Sequence, residues 1–143
     1  MIYAAYGSNT NIKQMRSRCP SAKIIGVAKL NGYKLLFRRG YLTLLKSDGD
    51  VLDVLLWDID ENDLKYLDMY EGYPTLYYRK SLGVTIDNEM VMAIFYIMCE
   101  QYISDVTRVS PRYKCICAKG YIENGMCLKQ FDEALDEVKN KIF

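Results

Sequence analysis

Three polar, glycine- or asparagine-bearing breaks sit inside long stretches of apolar and β-branched residues, and this pattern most limits the fold. Lys23–Leu30 and Tyr33–Arg38 flank Asn31-Gly32. Tyr41–Lys46 and Val51–Ile59 flank Ser47-Asp48-Gly49-Asp50, and Tyr77–Ile86 and Met90–Cys99 flank Asp87-Asn88-Glu89. Such pairs predict hairpins, because these turn residues accept the positive φ of a tight reversal. With an opening strand at Ile2–Tyr6, three hairpins make a sheet that curls toward a barrel.

Helices fill the gaps. Asn11–Arg18 reads as a short helix with Ser8 or Asn9 as its cap. Asp60 is placed to cap Glu61–Tyr70, where Leu64, Leu67 and Tyr70 recur at helical spacing. Ser110-Pro111 opens a helix that runs to about Glu123, with Gly125 as its stop. Phe131, Leu135, Val138 and Ile142 form one apolar stripe that serves packing. The fold class is therefore α+β: a small mixed, mostly antiparallel β-barrel flanked by helices. A chain of 143 residues suits a single domain, residues 1–143.

Composition excludes several chemistries. There is no histidine, so a Ser-His-Asp or Cys-His arrangement is impossible, as is a zinc site that needs imidazole. Proton transfer falls to a carboxylate, Tyr, Lys or Cys. Lys+Arg is 19 against 18 Asp+Glu, which gives no electrostatic ground for a nucleic-acid or membrane-surface partner. The five cysteines form no CxxC pair and read as reduced, mostly buried thiols; Cys115 and Cys117 are not a metal motif. The N-terminus lacks a signal pattern, and the longest apolar run, Met90 to Cys99, is about half the ~20 residues that span a bilayer. A cytoplasmic location is expected.

Three segments carry candidate chemistry. Tyr6-Gly7-Ser8-Asn9 ends the first strand and opens a helix, so its N–H groups are free to meet an anion or an oxyanion. Glu71, in Tyr70-Glu71-Gly72-Tyr73-Pro74, closes a helix among Tyr66, Tyr70, Tyr73, Tyr77 and Tyr78. The helix dipole and aromatic desolvation both push such a carboxyl's pKa upward. Ser110-Pro111-Arg112-Tyr113 places a tyrosine near a helix start, over a pocket. Taken singly, each reads more readily as an ordinary turn, a solvated helix end or a packed tyrosine.

Together and in this order, they resemble the γ-glutamylcyclotransferase (AIG2-like) family. The family's Tyr-Gly-Ser-Asn loop is Tyr6-Gly7-Ser8-Asn9. Its Gly-Tyr-x-Leu-x-Phe stretch lies in Val27 to Phe37, and its Glu-Gly element in Leu67 to Pro74. A late helix follows with Ser110-Pro111-Arg112-Tyr113-Lys114, Ala118-Lys119-Gly120 and Glu123-Asn124-Gly125. Thr10 stands where a leucine is common, and Val109 where a proline often precedes Ser-Pro.

The resemblance implies a small barrel fold and an intramolecular reaction. The α-amine of a γ-glutamyl group attacks its own γ-carbonyl, giving 5-oxoproline and the amine that was attached. Glu71 would be the acid/base. Tyr6, Gly7, Ser8, Asn9, Thr10 and Asn11 would bind the γ-glutamyl moiety, with Tyr78 and Tyr113 lining the pocket. A small-molecule γ-glutamyl substrate is implied, with no cofactor and no metal, and a homodimer is left open. The leaving group is an amino acid or peptide; a γ-glutamylamine, a carrier-linked γ-glutamyl group or a non-catalytic binding module are the alternatives. A free glutamate near pKa 4.3 lies ~4 pH units below an α-amine, a gap of ~5 kcal/mol. Glu71 is therefore expected in a pocket that raises it to ~6–7.

Overall fold

The computed structural model describes residues 1–142. Five strands close into a barrel in the order β1-β3-β2-β4-β5: β1 (Ile2–Ala5), β2 (Lys23–Arg38), β3 (Tyr41–Asp58), β4 (Tyr77–Ile86) and β5 (Glu89–Met98). All pairings are antiparallel except β1 with β5, where Tyr3 registers with Ile94 and closes the barrel in parallel. The helices are α1 (Ile12–Arg18), α2 (Glu61–Glu71), α3 (Pro111–Asn124) and α4 (Leu128–Ile142). Among the described residues no helix is long and apolar enough to cross a membrane.

Two of the expected hairpins are wrong in the same way. Asn31-Gly32 does not reverse the chain. Both of its flanks lie on the one strand β2 and face the one partner β3, with a register shift between Asn31 and Tyr33. Gly32 has φ +82°, so its backbone freedom is spent on a bulge rather than a turn. Ser47–Asp50 lies opposite that bulge. Asn31 pairs with Val51 and Tyr33 with Lys46, so the excess residues bow out within β3 instead of ending it. The reversal itself is Arg39-Gly40, with φ of 54° and 80° and Arg38 paired to Tyr41. This two-residue loop has the positive dihedrals that match strand twist. The third hairpin forms as expected, with Asp87-Asn88 as its loop and Ile86 paired to Glu89.

The helix signals read well apart from one cap. Asn11, not Ser8 or Asn9, caps α1: its side chain accepts the Gln14 N–H at 3.1 Å. Ser8–Thr10 instead forms a separate 3₁₀ turn. Asp60 and Asp63 cap α2 reciprocally, at 2.8 and 3.0 Å. Ser110 caps α3, and Gly125 ends it in the left-handed region. The stripe on α4 buries Phe131 and Val138 fully, with Leu135 and Ile142 partly covered.

The interior is apolar and aromatic; Phe37, Phe95, Trp57, Leu56 and Leu67 are essentially inaccessible. Strand β3 is buried on both faces from Leu52 to Trp57. That burial includes Asp53, whose carboxylate accepts from Lys29 and from the Cys127 N–H. The thiols divide differently from expectation. Cys19 and Cys117 are buried, Cys99 is half-buried, and Cys115 and Cys127 are exposed, all of them free.

Candidate active site

At one end of the barrel the turn after β1, the end of α2 and the start of α3 enclose a cavity of about 130 Å³. An engineered cavity of ~150 Å³ holds benzene, so this one suits a group of amino-acid size. It is lined by Tyr6, Gly7, Ser8, Asn9, Glu71 and Tyr113 of the expected set. Tyrosines 3, 41, 70, 77 and 96 complete most of the wall.

The loop is held from behind through its carbonyls. Tyr6 O accepts from the Tyr121 hydroxyl at 2.7 Å. Gly7 O accepts from the Thr10 N–H at 3.1 Å and from Thr10 Oγ1 at 2.7 Å. Ser8 O accepts from the Asn11 N–H at 3.1 Å, Asn9 O from Trp57 Nε1 at 3.0 Å, and Thr10 O from Asn124 Nδ2 at 2.8 Å. The N–H groups of Gly7, Ser8 and Asn9 have no acceptor among the described residues. Carbonyls satisfied on one side and donors left over on the other make an anion-binding concavity.

Thr10 and Asn11 therefore do not line the cavity; they build it. Thr10 is fully buried, and its hydroxyl braces Gly7. Asn11 caps α1 and donates to Ile116 O at 3.0 Å. Close packing of α3 on the loop requires Gly120, since a Cβ there would lie 2.2 Å from Thr10 Oγ1 and 2.5 Å from Asn11 N.

Glu71 is the last residue of α2, and Gly72 ends the helix with φ +66°. The residue as a whole is half-buried, lines the cavity, and its carboxylate takes no hydrogen bond or ion pair among the described residues. Burial pushes its pKa up to about 7, with the Arg18 charge pulling the other way. No lysine or arginine lines the cavity among the described residues.

Arg18 works from outside. Its guanidinium donates to Asn9 Oδ1 and to Gln14 Oε1, and stacks 3.5 Å from the centroid of the Tyr70 ring. The Tyr70 hydroxyl in turn meets Ser8 Oγ at 2.9 Å. Asn9 Nδ2 donates to the Tyr3 hydroxyl at 3.0 Å. Burial, reinforced by the Glu71 charge, raises the pKa of Tyr3 and Tyr6 well above 10. Burial raises Tyr113 likewise. These hydroxyls stay protonated; that of Tyr6 donates to Tyr96 O.

Tyr78 is placed elsewhere. It is 37% exposed and lies in a separate shallow groove with Tyr33, Lys46 and Lys80. Its neighbour Tyr77 takes the cavity position and donates to Leu42 O at 2.8 Å. Tyr113 lines the cavity as expected, its hydroxyl accepting the Leu42 N–H at 3.2 Å. Sequence reasoning missed Tyr3, Tyr41 and Tyr96, as well as Arg18 and Tyr121 behind the wall. The repeated Tyr at positions 3 and 6 was the available signal for the first of these.

Known proteins share this fold. A sequence model of the family described as "Gamma-glutamyl cyclotransferase, AIG2-like" matches residues 3–114. A γ-glutamylcyclotransferase of Homo sapiens is 29% identical over 155 residues, covering 96% of this chain and 78% of the relative. That of Bos taurus is 28% identical over 149 residues, with the same coverage of 96% and 78%. A solved structure of a γ-glutamyl cyclotransferase superposes with a TM-score of 0.81 at 28% identity, covering 97% of this chain and 86% of the other. The match takes in the Tyr6–Asn9 loop, Glu71 and Tyr113 alike, and the chain belongs to the γ-glutamyl cyclotransferase, AIG2-like family.

Proposed function

We propose that this chain is a γ-glutamylcyclotransferase that converts a γ-glutamyl amino acid or peptide to 5-oxoproline and the free amine. The γ-glutamyl group folds so that its α-amine nitrogen meets its own γ-carbonyl carbon. That C–N bond forms as Glu71 takes a proton from the amine. The C–N bond to the leaving nitrogen then breaks as Glu71 returns the proton there. No protein nucleophile is required, and orientation supplies much of the rate.

The observation that carries this reading is Glu71 itself, a carboxylate without a partner in the same cavity as the unpaired N–H groups. A pKa of about 7 cuts the uphill step to a free α-amine from ~5 to ~1–2 kcal/mol. The N–H groups of Gly7, Ser8 and Asn9 would hold the carbonyl oxygen as it becomes an oxyanion, where one lost donor typically costs ~3 kcal/mol. The cavity holds a γ-glutamyl group and leaves the released amine at the mouth, between Tyr41 and Tyr70, which are 46% and 43% exposed. The free thiols fit a reducing compartment, and we place the protein in the cytoplasm.

The test is 5-oxoproline release from γ-glutamyl-alanine, γ-glutamyl-lysine isopeptide and glutathione, by wild type and by Glu71→Gln. Release from at least one substrate, abolished in the variant, supports the reading. Equal turnover by both proteins sinks it. Binding of 5-oxoproline with no turnover by wild type would make the domain a binding module instead.

A further inference from the structure

The unpaired N–H groups of the cavity are oriented in two different ways. The Ser8 and Asn9 donors belong to peptides whose carbonyls, Gly7 O and Ser8 O, accept from Thr10 and Asn11 inside the same turn. The Gly7 donor belongs to the Tyr6–Gly7 peptide, whose carbonyl has no such local partner. It accepts from Tyr121, on α3, 115 positions along the chain.

A trans peptide carries its C=O and N–H on opposite sides of one plane. Anchoring Tyr6 O on Tyr121 turns the Gly7 N–H the other way. Gly7 lines the cavity and Tyr121 does not, so a Gly7 N–H turned away from Tyr121 is free to face the cavity. Tyr121 has no freedom to do otherwise. It is wholly buried, its ring packs edge-on against Phe131 at 5.6 Å, and its oxygen accepts from Gln130 Nε2 at 3.0 Å. Gln130 is itself fixed at both ends of its amide to the Asp53 backbone, at 2.7 and 2.9 Å. With Gln130 donating to the Tyr121 oxygen, the hydroxyl hydrogen is directed to Tyr6 O. Burial raises the pKa of this tyrosine far above its ordinary value, so the hydrogen is always present.

We infer that Tyr121 is a positioning residue for the cyclisation. Its hydroxyl sets the Tyr6–Gly7 peptide plane so that the Gly7 N–H donates to the developing oxyanion. This rests on the cyclotransferase reading above. The dependence is on the hydroxyl rather than the ring, because the ring touches nothing in the cavity wall that Phe would not also touch.

Tyr121→Phe keeps the ring and removes the donor. The expected result is a kcat at least ~10-fold lower, short of the ~10²–10³ for outright deletion of an oxyanion donor, with KM within about twofold of wild type. The acid limb of the pH profile, set by Glu71, stays in place. In solution NMR the N–H residual dipolar coupling of Gly7 changes while those of Ser8, Asn9 and the barrel strands do not. p-Aminophenylalanine at position 121, which restores a para donor, recovers most of the kcat. A kcat within twofold of wild type, or an unchanged Gly7 coupling, overturns the inference. So does a Tyr121→Phe chain that no longer folds, since the hydroxyl would then be structural. Wild type that releases no 5-oxoproline sinks the cyclotransferase reading instead, and the Gly7 coupling still decides the orientation of the peptide.

Discussion

The two walls of the cavity are built on opposite plans. On one side, every carbonyl from Tyr6 to Thr10 is bound, by Tyr121, Thr10, Asn11, Trp57 and Asn124. On the other, Glu71 takes no bond from any described residue, at a helix terminus whose dipole disfavours its charge. The donor side is rigid because misplaced dipoles are of no use to an oxyanion. The acid side is left unsatisfied because a carboxylate with a good partner is too weak a base. Stability is thus concentrated in one wall and given up in the other, the usual cost of a working site.

Glu71→Gln breaks the contrast most sharply. Acid/base catalysis is typically worth ~10²–10⁴, and with no second carboxylate lining the cavity among the described residues a kcat loss of ~10³ is expected. Stability should move the opposite way. The folded pKa of about 7 lies above the ordinary 4.5, so folding favours the protonated form. The contribution of Glu71 is then full below pH 4.5 and is lost as pH rises through about 7. The gap corresponds to at most ~3 kcal/mol at ~1.36 kcal/mol per pH unit, less the screening at a half-open mouth. Gln carries no such penalty. Thermal melts should show the variant several degrees more stable than wild type at pH 8 and level with it at pH 4.5. A variant that is less stable at pH 8 would mean that the carboxylate has a partner after all.

Gly120→Ala attacks the rigid wall. Helix propensity alone would favour Ala by ~1 kcal/mol. The added Cβ meets Thr10 Oγ1 at 2.2 Å and the Asn11 backbone at 2.5 Å, and backbone does not move aside cheaply. Overpacking costs ~1–3 kcal/mol, so a net loss of up to ~2 kcal/mol is expected. Turnover should fall ~10–100-fold as the loop shifts, with the pH profile unchanged. A more stable, fully active variant would show that the loop tolerates displacement.

The site was more legible in the sequence than the barrel was. Local chemistry announced Ser110-Pro111, Asp60 and Asp87-Asn88, because caps and tight turns depend on residues that are adjacent in the chain. Asn31-Gly32 and Ser47–Asp50 misled because a positive-φ residue suits a bulge as well as a reversal. Only the register with β3 distinguishes the two, and register is a long-range property. Glu71 and the Tyr6–Asn9 loop were found through the motif. Tyr121 and Trp57 were not, since each serves the site through one bond to a carbonyl that no spacing rule connects to it.

Arg18→Gln joins the two walls. Arg18 binds Asn9 on the rigid side, stacks on Tyr70 and draws the Glu71 pKa down from outside the cavity. Removing the positive charge lets that pKa rise, so the acid limb of the kcat/KM profile should move to higher pH. At pH 7 the expected loss is ~5–10-fold, shrinking at pH 9. Arg18→Lys should hold the limb nearer its wild-type position, because it retains the charge while losing the stack and the fork. A limb that stays put in both variants would confine Arg18 to holding the loop.

The smallest effect belongs to Tyr78→Phe, and its smallness is the test. Along β4, counting in twos from the buried Val84 leads to Tyr78, which would put that side chain on the covered face. The rule fails at this end, where the paired segment of β5, Tyr96 to Met98, is buried on both faces. A strand beside a doubly covered partner has a core on either side, so parity does not say which face holds the cavity. The structure gives it to Tyr77, whose hydroxyl donates to Leu42 O. Leu42 also donates its N–H to Tyr113, so the Tyr77 bond braces one side of the cavity. Tyr77→Phe should therefore lower turnover by several-fold, while Tyr78→Phe keeps wild-type kcat and KM. Were the two results reversed, the face of β4 assigned to the site would be the wrong one.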